Sequence, residues 1–328
     1  MKAMTIPQTG DPSVLTLTDL PDPTPGEHDL LLEVHAAALN PVDTKLRSGR
    51  FRAPVQFPVT PGFDVSGVVR AIGPSVTRFR PGDAVYASPP LFQPGAHAEF
   101  VTIDERLAAR KPTSLSHVEA AAVPLALLTA WELLIDMADV SAGQTVLVHA
   151  AAGGVGHLAV QLAKHRGCVV LGTASSDDSF ALLDELGIDH ALNYKTENVH
   201  DRVMQITGDK GCDAVFDLVG QDVFRGSIDL VAVRGSLGTI VGIPADADLN
   251  PLFLKSASLH AEFMGATALA GRVPAHQSAI LKEAAALIEA GSLRPHVSQT
   301  FPLEDLPAAH ELQETGTVTG KLVIQVRD

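Results

Sequence analysis

The stretch HAAAGGVGHLAVQLAKHRG, residues 149–167, holds the residues best suited to gripping a charged ligand. Against the spacing G-x-G-x-x-G, Ala151 stands at the first glycine position and Gly153 and Gly156 at the second and third. In such a turn the middle glycine lets the backbone approach a diphosphate. The last lets the following helix pack closely on the preceding strand, and the helix N-terminus turns unpaired N–H groups toward the anion. Ala152, Gly153, Gly154, Val155 and Gly156 are therefore the expected dinucleotide-binding residues. A tight strand-to-helix turn without a ligand is the plain alternative. The context favours binding, because TVLVHA (145–150) reads as the strand before the turn and GHLAVQLAKHRG as the helix after it.

A second group of residues bears on which dinucleotide. NAD-binding turns of this kind place an acidic residue roughly 20 residues beyond the glycines to hold the ribose hydroxyls. Here Ala174 occupies that place, followed by Ser175 and Ser176. A carboxylate is missing where it would most repel a 2′-phosphate, which favours NADPH with the two hydroxyls as donors. Asp177 and Asp178 follow at once, and Tyr194 and Lys195 can close in from the next strand. An ordinary polar loop is the alternative for the serines.

The third group is NPVDTK (40–45). Asn40, Pro41 and Asp43 read as an N-cap, a first-turn proline and an acidic first turn, with Gly49 ending a short helix. The same residues also offer polar groups to a substrate.

The elements that must carry these residues follow from pattern. Residues 1 to about 115 read as short strands between Pro and Gly turns: 30–39, 64–73, 82–88 and 97–103. From residue 118 helix-length segments alternate with apolar strands at 145–150, 168–174, 190–194, 213–220, 236–242 and 259–265. Strands apolar on both faces signal a parallel sheet covered by helices. The tail predicts helices at 276–290 and 305–314, a strand around 299–302 and a closing strand at 321–326 that returns to the N-terminal half.

Composition narrows the function. The 328 residues carry 24 basic and 38 acidic side chains, a formal charge of −14, which disfavours nucleic acid as a partner. Cys168 and Cys212 are too few for a disulfide framework or a cysteine-rich zinc site. The N-terminal stretch MKAMTIPQTGDPSVL has no apolar core of signal-peptide length, and charged or turn residues interrupt every long apolar stretch before it could span a bilayer. A cytoplasmic setting is expected.

The order of segments resembles, along the whole chain, the medium-chain dehydrogenase/reductase superfamily, and within it the zinc-free quinone oxidoreductase and enone reductase branch. The segments that carry this are MKAM at the start, AAALNPVDTKLRSG (36–49), PGFDVSGVV (61–69), GDAVYA (82–87), LLTAWELL (127–134), VHAAAGGVGHLAVQLAK (148–164), VFDLVG (215–220) and TGKLVIQV (319–326). The resemblance implies an α/β protein: a Rossmann doubly wound parallel sheet domain inserted in a GroES-like β-barrel-type domain formed from both chain ends. The expected divisions are 1–122, 123–266 and 267–328, with a cleft between the domains and a homodimer as the assembly. Where zinc alcohol dehydrogenases carry P-G-H-E, this chain has Pro61, Gly62, Phe63 and Asp64, and a phenylalanine cannot ligate a metal. His28, His35 and His97 show no ligand spacing.

The resemblance also implies roles. Asn40 and Asp43 border the nicotinamide and substrate. Lys45 stands where enone reductases of plant-like type have a lysine, and its ammonium would stabilise an enolate and help protonate it; a solvated surface lysine is the alternative. Thr129, Val241, Gly242 and Ile243 line the nicotinamide, and Tyr194 packs near the adenosine phosphate. The implied substrate is a small quinone or enone reduced by hydride from NADPH without a metal. An enoyl-thioester reductase and a non-enzymatic NADPH-binding protein of structural or sensing duty are the alternatives. The pocket is expected from loops 51–58 and 88–97.

Overall fold

The computed structural model describes residues 1–51, 55–91 and 93–327. The chain opens with strands β1 (Lys2–Thr5), β2 (Thr16–Asp19), β3 (Asp29–Leu39), β4 (Val65–Ile72), β5 (Ala84–Ala87), β6 (Phe100–Asp104) and β7 (Ala108–Arg110). It continues through β8 (Thr145–Val148), β9 (Val169–Ala174), β10 (His190–Asn193), β11 (Cys212–Asp217), β12 (Val231–Thr239) and β13 (Ser258–Ala261), and ends with β14 (Val297–Pro302) and β15 (Lys321–Gln325). Two compact units result: residues 1–125 with 265–328, and residues 126–264.

The first unit is built on a sheet in the order β14-β15-β3-β4-β5-β7, with β6 also paired to β3. Strand β3 is its spine. Its first half alternates half-buried and buried residues, so Leu30, Leu32 and Val34 enter one core with Val65, Val69, Val85, Val101 and Ile103. Each such leucine contributes about 1.5–3 kcal/mol by leaving water. The second half is alanine: Ala36 and Ala38 pack against Ala121, which ends the helix His117–Ala121, and Ala122, which caps it, an approach that only small side chains permit at close range. The strands β1, β2 and β7 are too short and irregular in pattern to stand out in sequence.

The second unit carries a six-stranded sheet in the order β10-β9-β8-β11-β12-β13, parallel at every pairing. Chain order runs outward from β8 to β10 on one side and from β11 to β13 on the other. The reversal between β8 and β11 is the switch point of a doubly wound nucleotide-binding sheet, at whose strand carboxyl ends ligands bind. Leu147, Leu171, Val215, Leu237 and Phe224 form the core beneath the helices. Strand β12 begins at Val231, ahead of the expected 236, because a bulge with Arg234 at φ +64° interrupts the pattern. Strand β13 ends at Ala261, short of the expected 265.

Candidate active site

Strand β8 ends at Val148, and the chain turns with Ala150 at φ +49° before the helix Gly156–His165 begins. The Ala150 amide donates to Thr173 Oγ1 at 3.0 Å, and the Gly153 amide to Ala150 O at 2.9 Å. A Cβ on Gly156 would lie 2.2 Å from Ala150 O, so this glycine is required for the helix to reach the strand. Ala151 is tolerated at the first position because its neighbour on β9 is Gly172, where a Cβ would stand 2.6 Å from that of Ala151. Gly153 differs: a Cβ there meets only Ala150 O, at 3.2 Å, and otherwise fills the space over the turn. The amides of Ala152, Gly154 and Val155 have no protein partner among the described residues. Unpaired amides at a helix N-terminus, under a space that a side chain would fill, fit the diphosphate of a dinucleotide.

At the end of β9 the buried Ala174 stands where a ribose-binding carboxylate would be, and Ser175 Oγ donates to Tyr194 Oη at 3.0 Å. Two of the expected residues thus meet. Ser176 instead caps the helix Asp177–Glu185, its oxygen accepting from the Ser179 amide at 3.3 Å. Asp177 and Asp178 occupy the first turn of that helix, where the dipole favours them. Lys195 is exposed beside Tyr194.

Thr129 is buried in the helix Pro124–Trp131. Val241 and Ile243 are exposed on either side of Gly242, at φ +111°, in the turn after β12. Asp217, which no motif in the sequence marks, anchors this region: its carboxylate accepts from the Val219 and Gly220 amides at 2.9 and 2.7 Å and from Thr239 Oγ1 at 3.1 Å. Thr239 Oγ1 in turn accepts from the Val241 amide at 3.3 Å. Beside Asp217, burial pulls His149 down to about 4 and keeps it neutral.

In the first unit, Asn40 and Asp43 are wired into a buried network at the head of the helix Pro41–Arg47. Asp43 accepts from the Asn40 amide at 2.9 Å and the Gly62 amide at 2.8 Å. Asn40 Nδ2 donates to Asp64 at 2.7 Å, and Lys321 Nζ donates to Asn40 Oδ1 at 2.5 Å and Asp64 Oδ2 at 3.2 Å. The Leu125 amide completes Asp64 at 2.6 Å. Burial pushes Asp43 up to about 7, against the pull of those two amides and Lys321. Asp64 is likewise raised by burial and restrained by Lys321. Neither Asp64 nor Lys321 was picked out for a role in sequence; the signal was a lysine opening an apolar strand, where charge needs a buried partner. Lys45 lies exposed on the same helix, with no side-chain partner among the described residues.

Phe63 is buried among Leu46, Leu306 and Leu322. No group of three or more His, Cys, Asp or Glu side chains able to hold a metal occurs among the described residues. A cavity of about 920 Å3 within the first unit is lined by Leu46, Phe51, Phe57, Val59, Phe63 and Leu91, among others. Both expected loops contribute, although residues 52–54 and 92 of those loops lie outside the described residues.

Comparison with known proteins agrees with this architecture. Residues 26–113 match the alcohol dehydrogenase GroES-like domain and residues 186–324 the zinc-binding dehydrogenase family. Human quinone oxidoreductase is 32% identical over 99% of this chain and 97% of its own. A zinc-type alcohol dehydrogenase-like protein of Staphylococcus aureus is 37% identical over 93% of this chain and 92% of its own. The Escherichia coli quinone oxidoreductase structure complexed with NADPH superposes with a TM-score of 0.90 at 28% identity, covering 99% of this chain and all of that one. The chain belongs to the medium-chain dehydrogenase/reductase superfamily and is an oxidoreductase of that superfamily. Its Rossmann sheet and GroES-like domain are those of the superfamily. Among the described residues no helix is long and apolar enough to cross a membrane.

Proposed function

We propose that the protein reduces quinones or α,β-unsaturated carbonyls by hydride transfer from NADPH, without a metal. The observation that carries the cofactor is the turn at Gly153, whose neighbouring amides have no protein partner, together with the hydroxyl pair Ser175–Tyr194 where a carboxylate would exclude a 2′-phosphate. The relative crystallised with NADPH supports the same choice. When bound, NADPH supplies a hydride.

The chain's own residues divide the remaining work. Ala152, Gly153, Gly154, Val155 and Gly156 hold the diphosphate; Ser175, Ser176 and Tyr194 hold the adenosine phosphate; Thr129, Val241, Gly242 and Ile243 line the nicotinamide. Asn40 and Asp43 fix the helix that carries Lys45, and Lys45 stabilises the negative charge that develops on the acceptor oxygen and delivers a proton to the reduced product. The acceptor is conjugated, so that it spreads charge that a Lewis acid would otherwise have to meet. Following NADPH absorbance with a panel of quinones beside a panel of conjugated ketones tests the proposal. Tight NADPH binding with no consumption on either panel would rule out the enzyme and favour a binding protein.

A further inference from the structure

Two carboxyl groups lie buried against each other in the second unit, and none of the roles above uses them. Glu132 opens the π-helical turn Glu132–Met137, one turn beyond Thr129 on the same helical run. Glu262 directly follows β13. Their exposures are 9% and 5%, and the side chains are hydrogen-bonded to each other, with Glu262 Oε1 left without a partner. Two carboxylates have no hydrogen between them to share, so the bond requires that the pair keep one proton. Burial, and then the charge of Glu132, raise Glu262 to about 9. Glu132 is the titratable group that acts on it among the described residues.

The position of the pair gives the proton a consequence. The Glu262 amide donates to Thr239 O at 2.9 Å, and Thr239 is the residue whose hydroxyl receives the Val241 amide. The backbone of one partner is thus joined through Thr239, by two hydrogen bonds, to the turn that bears Val241, Gly242 and Ile243. The other lies one helical turn from Thr129. π-Turns interrupt helices most often where function demands an irregular placement. The geometry points to Glu132 and Glu262 as a proton-sharing clasp, a pair of positioning residues that holds the helix of Thr129 to the strand end of Val241–Ile243 while protonated and loosens on losing the proton. What the clasp serves rests on the nicotinamide placement proposed above; the clasp itself does not.

The test uses the full-length protein, Glu262→Gln and Glu132→Gln. A glutamine keeps a donor for the remaining carboxylate and cannot ionise. NADPH Kd is measured by fluorescence titration from pH 7.5 to 10, and thermal unfolding from pH 6 to 9. Wild-type Kd is expected to rise roughly threefold or more between pH 8 and 10, while that of Glu262→Gln changes by less than about 1.5-fold. The folded state holds the proton more tightly than the unfolded chain, whose carboxyl titrates near 4.5, so wild-type stability falls as pH rises toward about 9. The glutamine variant falls less. Parallel wild-type and variant profiles in both measurements would overturn the clasp. Absence of NADPH binding by the wild type at every pH would instead defeat the nucleotide proposal, and the unfolding profiles would still decide the clasp. Glu132→Gln carries the same comparison should Glu262→Gln not fold.

Discussion

Lys321 Nζ donates to Asn40 Oδ1 across 2.5 Å, tying the first residue of the closing strand to the head of the helix that carries Lys45. Asp64 accepts from both, so one buried cation serves two acceptors from distant parts of the chain. Removing that cation leaves a buried carboxylate without its counter-charge. Lys321→Met is therefore expected to cost about 3–5 kcal/mol in urea unfolding. Pairing it with Asp64→Leu should recover part of that loss, since replacing both charges removes the unpaired one. A loss under about 1 kcal/mol for Lys321→Met alone would mean that the network does not hold the helix.

Asp43 makes the same region sensitive to acid and base. Its folded value of about 7 lies above its ordinary 3.8, so the folded state holds the proton more tightly than the unfolded chain. The associated stability is greatest below pH 4 and is lost as the pH rises through about 7, at no more than about 1.4 kcal/mol per pH unit. Asp43→Asn cannot titrate. Unfolding free energies at pH 4, 5.5 and 7 should slope less in the variant than in the wild type, and identical slopes would show that Asp43 keeps an ordinary value.

Gly153 and Gly156 stand three residues apart and answer to different demands. At Gly156 the obstacle is the protein's own backbone, 2.2 Å from an added Cβ, so Gly156→Ala should destabilise the fold by about 1–3 kcal/mol. At Gly153 the nearest atom is 3.2 Å away and the remaining space faces outward. Gly153→Ala should melt within a few degrees of the wild type while NADPH binds roughly tenfold or more weakly. Equal effects of the two substitutions on melting would remove the distinction.

How much of this was open to sequence depends on the range of the interactions. The glycine turn was legible because its geometry is local: glycine spacing, a flanking strand and a helix all lie within twenty residues. The strands of the parallel sheet were legible for a similar reason, their apolar runs being complete in themselves. Lys321 and Asp64 were not, since their pairing joins positions far apart: the lysine that opens KLVIQV calls for a buried partner without saying which. Asp217 escaped because its three bonds go to backbone and hydroxyl groups that no residue pattern reports. The bulge at Arg234 hid the start of β12 by breaking the alternation that marks a strand.

The hydroxyl pair Ser175–Tyr194 makes a prediction about cofactor choice. The two oxygens lie 3.0 Å apart at the end of β9, with Tyr194 about half exposed. Hydrogen bonds to a charged group are worth about 1.5–3 kcal/mol when they form. Ser175→Ala and Tyr194→Phe should each weaken NADPH binding by roughly tenfold and leave NADH binding nearly unchanged, as read by calorimetry. Equal losses toward both cofactors would place the 2′-phosphate elsewhere.

Lys45 is the side chain proposed to distinguish between acceptors. It is exposed, without a side-chain partner among the described residues, on a helix whose head is fixed by Asn40, Asp43 and Lys321. No described residue bonds its ammonium, so Lys45→Ala should melt with the wild type. An enone gathers negative charge on one oxygen as it accepts hydride and then needs a proton at carbon, whereas a quinone spreads the charge through an aromatic product. Loss of a positioned cation and proton donor should therefore slow a conjugated ketone by roughly 10²-fold and 1,4-benzoquinone much less. Single-turnover rates of NADPH oxidation on both acceptors measure this, and equal slowing of the two would deny Lys45 the role proposed for it.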